Sequence, residues 1–299
     1  MVSPSPSSPC IGLVGLGLLG SALADRLLGG AFHVVGHDID ATRCEGFARA
    51  GGELAENAAE VFRRCRRVFL SLPTHVEVNA VLAAAGAEIQ PGHVIIDTTT
   101  GDPDATVELA ALLATRGVAY LDATVSGSSS QLREGSAVLM VGGDAAASAS
   151  CRDILGPLGR ETFHCGGPGA GARMKLVTNV VLGLNRAALA EGLALAQGLG
   201  LDARQALSVM QSGPAYSRIM DRKGERMLSG NFTPEARLSQ HLKDVRLILD
   251  QGDAAGLPMP LSRAHRSILE AAETAGLGAL DNSAIIRVLA ARTGSPREP

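Results

Sequence analysis

The strongest constraint on the fold of this chain is a set of three glycines. Gly15-Leu16-Gly17-Leu18-Leu19-Gly20 fits the pattern G-x-G-x-x-G, and its setting matters more than its letters. An apolar run at 11–14 precedes it, and Leu19, Ala22, Leu23 and Leu27 follow at helical spacing. A strand, a glycine turn and a helix in that order let the backbone approach a diphosphate and aim a helix N-terminus at it. The pattern therefore predicts a dinucleotide site built from Gly15, Leu16, Gly17, Leu18, Leu19 and Gly20. Asp38 lies eighteen residues after Gly20, where an acidic residue ending the second strand accepts from the adenosine ribose hydroxyls. A 2′-phosphate would be repelled there, and the next residue is Ile39 rather than Arg. The reading is NAD in preference to NADP; NADP stays possible because Arg43 is the nearest cation.

Short apolar runs at 11–14, 33–35, 68–72, 94–96, 118–121 and 137–141 alternate with amphipathic segments. Such runs suit strands buried on both faces of a parallel sheet. Asp102-Pro103 reads as an N-cap followed by Pro at the first helical position. The expectation is an α/β Rossmann-type, doubly wound parallel sheet over 10–167. The cluster Gly166-Gly167-Pro168-Gly169-Ala170-Gly171 breaks the pattern. Beyond it only helical periodicity is found, at 172–199, 203–211, 217–228, 238–251, 262–273 and 283–290. Asp202 reads as an N-cap, and Gly252 and Gly276 as helix ends. Residues 168–299 are thus expected to form an all-helical domain for substrate binding and oligomerisation, and the Ser/Pro-rich 1–9 a disordered tail. The 172–199 segment is apolar nearly all round, which predicts burial in its own domain or against another subunit, hence a homodimer or homotetramer.

Composition removes several classes. Lys plus Arg number 27 against 30 Asp plus Glu, and aromatic residues are 3% with no Trp. Neither a basic surface nor stacking platforms for nucleic acid are available. No apolar run reaches the roughly 18–20 residues of a membrane span. The five cysteines are odd in number, widely spaced and lack a C-x-x-C pair, which predicts reduced thiols and a cytoplasmic protein. The seven His are scattered, so no metal site is expected, and His241 is read as structural. Arg63-Arg64 and Arg66-Arg67 read as a solvated helix end.

Lys175 and Asn179 are four apart, hence on one helical face, at the start of the apolar 172–199 segment. A Lys in such a helix is costly without a task or a partner. If its pKa is lowered by desolvation, it can take a proton from an alcohol or give one to a carbonyl oxygen. Asn179 can donate to the same oxygen or orient the ammonium. Ser126, Gly127 and Ser128 should form a turn whose N–H groups and hydroxyls cradle a carboxylate.

Four separated motifs then resemble the β-hydroxyacid dehydrogenase family, which includes 3-hydroxyisobutyrate dehydrogenase and tartronate semialdehyde reductase. They are Gly15 to Gly20; Asp122-Ala123-Thr124-Val125-Ser126-Gly127-Ser128, similar to D-A-P-V-S-G-G; Gly169 to Lys175 with Asn179; and Lys243-Asp244. The resemblance implies Lys175 as general acid/base assisted by Asn179, and Ser126, Gly127 and Ser128 around the substrate's acid group. It implies Leu72, Pro73, Thr100 and Lys243 beside the cofactor, and Ser217 and Asp281 on a far pocket wall. Thr124, Ser128 and Glu77 depart from the pattern, replacing Pro, Gly and Asn. If the motif's second Gly needs positive φ, Ser128 strains or moves the loop. The implied activity interconverts a small β- or γ-hydroxy carboxylate and its semialdehyde or keto acid. The rivals are an imine reductase-like NADPH enzyme, disfavoured by Lys175 and Asp38, and a catalytically silent dinucleotide-binding scaffold.

Overall fold

The computed structural model describes residues 10–291; the tail expected at 1–9 lies outside the described residues. The chain divides into two compact units, the first ending at Lys175 and the second starting at Leu176.

The first unit holds an eight-stranded sheet: β1 (Ile11–Val14), β2 (Val34–His37), β3 (Glu53–Leu54), β4 (Arg67–Leu70), β5 (Val94–Asp97), β6 (Ala119–Ser126), β7 (Val138–Gly142) and β8 (Glu161–Gly166). The spatial order is β3-β2-β1-β4-β5-β6-β7-β8. All neighbours are parallel except β6 and β7, where Asp122 pairs with Gly142 and Ser126 with Val138. The sheet is thus mostly parallel rather than wholly so. Apolar periodicity found the central strands, because both of their faces are buried. It missed β3, two residues long and exposed, and β8, whose first four residues are exposed. One face packs Ile11, Leu13, Phe69, Ile96 and Leu121 against Leu23 and Leu27 of the helix Leu18–Gly29. The other packs Val14, Val35, Val68, Leu70 and Ile95 with Phe62.

The strand order reverses beside β1, which lies between β2 and β4. Ligands of such sheets bind outside the carboxyl ends of the strands at that switch point. Strand pairing also corrects the cysteine reading. Ile11 is in register with Arg67, so Cys10 and Cys65, just before these strands, come together as a disulfide with Cα atoms 5.1 Å apart. Cys44, Cys151 and Cys165 are free thiols.

The second unit continues the 29-residue helix Ala170–Gly198 and adds helices Ala203–Ser212, Arg218–Ser229, Leu238–Ala254, Pro260–Thr274 and Ile286–Ala291. Its core joins Leu189 and Leu193 to Leu238, Leu242, Val245, Leu249 and Leu269. Asp202 caps its helix, accepting from the N–H groups of Arg204 and Gln205, as Asp102 does from Asp104. Gly252 is not a helix end. The helix runs on to Ala254, and a Cβ at Gly252 would meet Met259 Cγ at 2.6 Å, so the residue is small for packing.

Candidate active site

The carboxyl ends of the parallel strands gather the chemistry of the first unit. The glycine loop follows β1, Asp38 follows β2, Leu72 and Pro73 follow β4, Thr100 follows β5, and Ser126 ends β6. The glycine pattern is demanded by space. Gly15 has φ +95°, and a Cβ there would sit 2.3 Å from Ser71 O; one at Gly20 would sit 1.9 Å from Gly15 O. At Gly17 nothing lies nearer than Arg43 Nη1, 3.9 Å from the added carbon, so this side of the loop is open. A turn closed behind and open in front, ending in a helix N-terminus, fits a dinucleotide diphosphate.

Asp38 is buried. Its Oδ2 accepts from Leu16 N at 2.7 Å, and its Oδ1 from Asp40 N at 2.9 Å. The carboxylate thereby ties the end of β2 to the glycine loop. Arg43 lies 3.3 Å from both Asp38 and Asp40, so the nearest cation is held between two acids.

Lys175 is buried, and its Nζ donates to Val125 O at 2.7 Å. The amino group thus rests at the carboxyl end of β6, beside Ser126. Several contacts fix the helix turn that carries it. Asp122 Oδ1 accepts from Gly169 N at 3.0 Å and Oδ2 from Ala172 N at 2.8 Å. Burial raises the Asp122 pKa, while the N–H groups of Ala172 and Gly169 oppose that rise. Gly171 packs directly on the sheet; a Cβ there would lie 2.3 Å from Asp122 O. Thr124, fully buried, donates its hydroxyl to Gly171 O at 3.0 Å. The departure at Thr124 is thus a further anchor for the Lys175 turn.

The departure at Ser128 is also accommodated. It is Gly127 that adopts φ +151°, whereas Ser128 has φ −82° and bears no strain. Ser128 forms a capping box with Gln131: its N–H donates to Gln131 Oε1 at 3.0 Å, and its Oγ accepts from Gln131 N at 3.3 Å. Its hydroxyl also lies 2.8 Å from Ser130 Oγ. The amide and hydroxyl expected to cradle a carboxylate are therefore engaged within the loop. Glu77 accepts from Thr74, the N-cap of helix His75–Ala85, and that bond lowers its pKa against the effect of burial. It completes a helix start.

In the second unit, Asn179 is buried and its Nδ2 donates to Asp244 Oδ2 at 3.0 Å. Lys243 is half-buried, with Nζ 3.3 Å from Asp244 Oδ1. Asp244 therefore holds both, a role that reading Lys243-Asp244 only as a motif missed. The signal was available: Asp244 sits three residues after His241 and four before Ile248, on the buried stripe of its helix. Asp281 is a structural hub rather than an open pocket wall. It is 0% exposed and accepts from Lys223 Nζ at 2.9 Å, Ser283 Oγ at 2.7 Å and Glu235 N at 3.0 Å. Burial would raise its pKa, but the Lys223 ion pair and these bonds prevail and lower it to about 2. Ser217 is the N-cap residue of helix Arg218–Ser229. Among the described residues, no cluster of three or more His, Cys, Asp or Glu could hold a metal ion, and no helix is long and apolar enough to cross a membrane. In the basic cluster Arg63, Arg64 and Arg67 form ion pairs with Glu60, Glu53 and Asp153.

Fold and site together define a dinucleotide-binding α/β protein with a helical second unit. The model of the NAD-binding domain of 6-phosphogluconate dehydrogenase matches residues 10–167, and that of the NAD-binding domain of NADP-dependent 3-hydroxyisobutyrate dehydrogenase matches 169–289. The chain is 31% identical to 2-(hydroxymethyl)glutarate dehydrogenase of Eubacterium barkeri over 95% of its own length and 96% of that protein's. It is 33% identical to the cytokine-like nuclear factor N-PAC of Homo sapiens over 95% of its length, but spans only 52% of N-PAC, about half the length of such relatives. A 3-hydroxyisobutyrate dehydrogenase structure from Salmonella typhimurium superposes with TM-score 0.87 at 26% identity, covering 94% of this chain and 100% of that one. The chain belongs to the 3-hydroxyisobutyrate dehydrogenase, or β-hydroxyacid dehydrogenase, family.

Proposed function

We propose that this chain is an NAD-preferring oxidoreductase. It would interconvert a small β- or γ-hydroxy carboxylate and its semialdehyde or keto acid. The observation that carries the reading is the buried Lys175 amino group, donating to Val125 O at the sheet edge that also bears the glycine loop. A nicotinamide dinucleotide, when bound, supplies or accepts the hydride. Gly15 to Gly20 admit its diphosphate, and Asp38 accepts from its ribose hydroxyls. Leu72, Pro73 and Thr100 line the cofactor on the same edge, and Lys243 is assigned to its nicotinamide side. Lys175 takes the hydroxyl proton during oxidation as the neutral amine and gives one during reduction as the ammonium; Val125 O accepts from its Nζ until a substrate oxygen replaces it. Asn179, with one Nδ2 hydrogen held by Asp244, keeps a second to donate to the same oxygen, or else orients the Lys175 ammonium. Ser126 and Gly127 offer backbone groups to the substrate carboxylate, and Ser128 shapes the loop.

NAD is favoured because the Asp38 carboxylate would repel a 2′-phosphate and Arg43 is already shared with Asp38 and Asp40. Assembly as a homodimer or homotetramer is supported by apolar side chains left exposed on the long helix, Val177 and Val181 one turn apart and Leu195 near its end, with Leu199 just beyond it. Light scattering tests it; a stable monomer contradicts it. A relative named as a nuclear factor rather than as a dehydrogenase is the ground for a second reading, a scaffold that binds the dinucleotide without turnover. The deciding experiment follows reduced nicotinamide by absorbance across short hydroxyacids and semialdehydes. Turnover favours the enzyme, and cofactor binding without turnover favours the scaffold.

A further inference from the structure

Asp97, the last residue of β5, is a buried acid to which the reading above gives no task. Its Oδ2 accepts from Tyr120 OH at 2.5 Å, and its Oδ1 accepts from Thr99 N at 2.9 Å. Thr99 Oγ1 in turn accepts from Leu72 N at 3.2 Å. A chain of hydrogen bonds therefore runs from Tyr120 on β6, through Asp97 on β5, to the loop after β4. It links the two segments, 72–73 and 98–100, that the cofactor reading assigns to the dinucleotide. A buried carboxylate is expensive to keep, and a neutral residue could fill this space. At the carboxyl ends of the strands Asp97 is bonded directly to one of these loops and reaches the other through Thr99.

We propose that Asp97 is a positioning residue for the cofactor, its carboxylate held by Tyr120 and fixing Thr99, and through Thr99 the Leu72-Pro73 loop. This rests on the proposed dinucleotide site. Ionised, the carboxylate makes charge-assisted bonds to both donors; protonated, it loses an acceptor site and the loops are held less firmly. The ionisable groups facing Asp97 are Tyr120 and Asp122, both on β6, with Asp122 its register partner. Burial raises the Asp97 pKa to about 6; the Thr99 and Tyr120 hydrogen bonds pull it down, and Asp122 adds to the rise. Dinucleotide affinity should therefore fall as pH drops through about 6.

The test is NADH binding to the whole chain by fluorescence titration, from pH 7.5 to 5. Asp97→Ala should bind NADH about tenfold more weakly at neutral pH, the loss expected for a charged hydrogen-bond acceptor. Asp97→Asn should recover part of that loss and be flat across the acidic window. Tyr120→Phe, which keeps the carboxylate and removes a bond that lowers its pKa, should move the wild-type midpoint to higher pH. If Asp97→Ala fails to fold, the Tyr120→Phe shift decides. A purely structural Asp97 would give unchanged NADH affinity in folded variants and no midpoint shift, and that result overturns the proposal. A wild-type chain that binds neither NADH nor NADPH removes the cofactor reading and this proposal with it.

Discussion

The two units treat buried charge in opposite ways. In the sheet unit, Asp97 and Asp122 are held by backbone N–H groups and a phenol, with no cation among the causes that shift them, and burial drives both pKa values up. In the helical unit, Asp281 is equally buried, yet Lys223 reaches it directly and its pKa falls to about 2. His265 also lies in that unit; burial first and Arg186 second lower its pKa to about 4. A buried acid near the proposed cofactor site is thus poised to gain a proton, whereas the helical core relies on one acid staying charged and one imidazole staying neutral.

The sharpest way to break this contrast is to make one substitution in both units. Asp281→Asn leaves buried Lys223 with only the more distant carboxylate of Glu235, 3.4 Å away, and should cost about 3 kcal/mol in urea unfolding. Asp97→Asn removes a charge that burial disfavours and should change stability by less than about 1 kcal/mol, in either direction. Equal losses would mean that the two acids are held alike.

Acid should separate the units next. His265 and Asp281 have folded pKa values below their ordinary values of 6.5 and 3.8. Their stabilisation is complete above those ordinary values. It is lost as pH falls through about 4 for His265 and about 2 for Asp281. Asp97 has the opposite sign, and the sheet unit is relieved as pH falls from about 6 toward 3.8. Hydrogen exchange at pH 7 and pH 5, corrected for intrinsic rates, should show helices Leu238–Ala254 and Pro260–Thr274 loosening first. Loosening of the β-strands first would contradict this account.

Smaller effects test single contacts. Asp244→Leu releases Asn179 and Lys243 together and should lower kcat about tenfold and weaken NADH binding severalfold. Asp38→Ala should narrow the ratio of NAD to NADP efficiency severalfold, since it removes one repulsive carboxylate. An unchanged ratio would mean that another residue reads the ribose.

Much of this architecture was legible because it depends on local patterns. Ile11–Val14, the glycine triplet and Leu23 with Leu27 encode strand, turn and helix over a short stretch. The Gly169-Ala170-Gly171 break marks a helix start that must lie against β6 and β7. What escaped depends on partners distant in sequence. The reversed direction of β7 leaves no trace in its own residues. Thr124 could be read as an anchor only once Gly171, forty-seven residues away, was beside it. The Cys10–Cys65 pair and the Asp97–Tyr120 bond likewise follow from register, not composition.

The central claim, that this chain moves a hydride while Lys175 moves a proton, is tested most directly by comparing wild type with Lys175→Ala. Reduced nicotinamide would be followed by absorbance across a panel of short hydroxyacids and semialdehydes, with NADH binding measured alongside. The account predicts turnover of at least one acid by the wild type, a loss of 10²–10⁴ in the variant, and NADH affinity retained. Near-normal turnover by Lys175→Ala, or a wild type that binds NADH and turns over nothing, would contradict it.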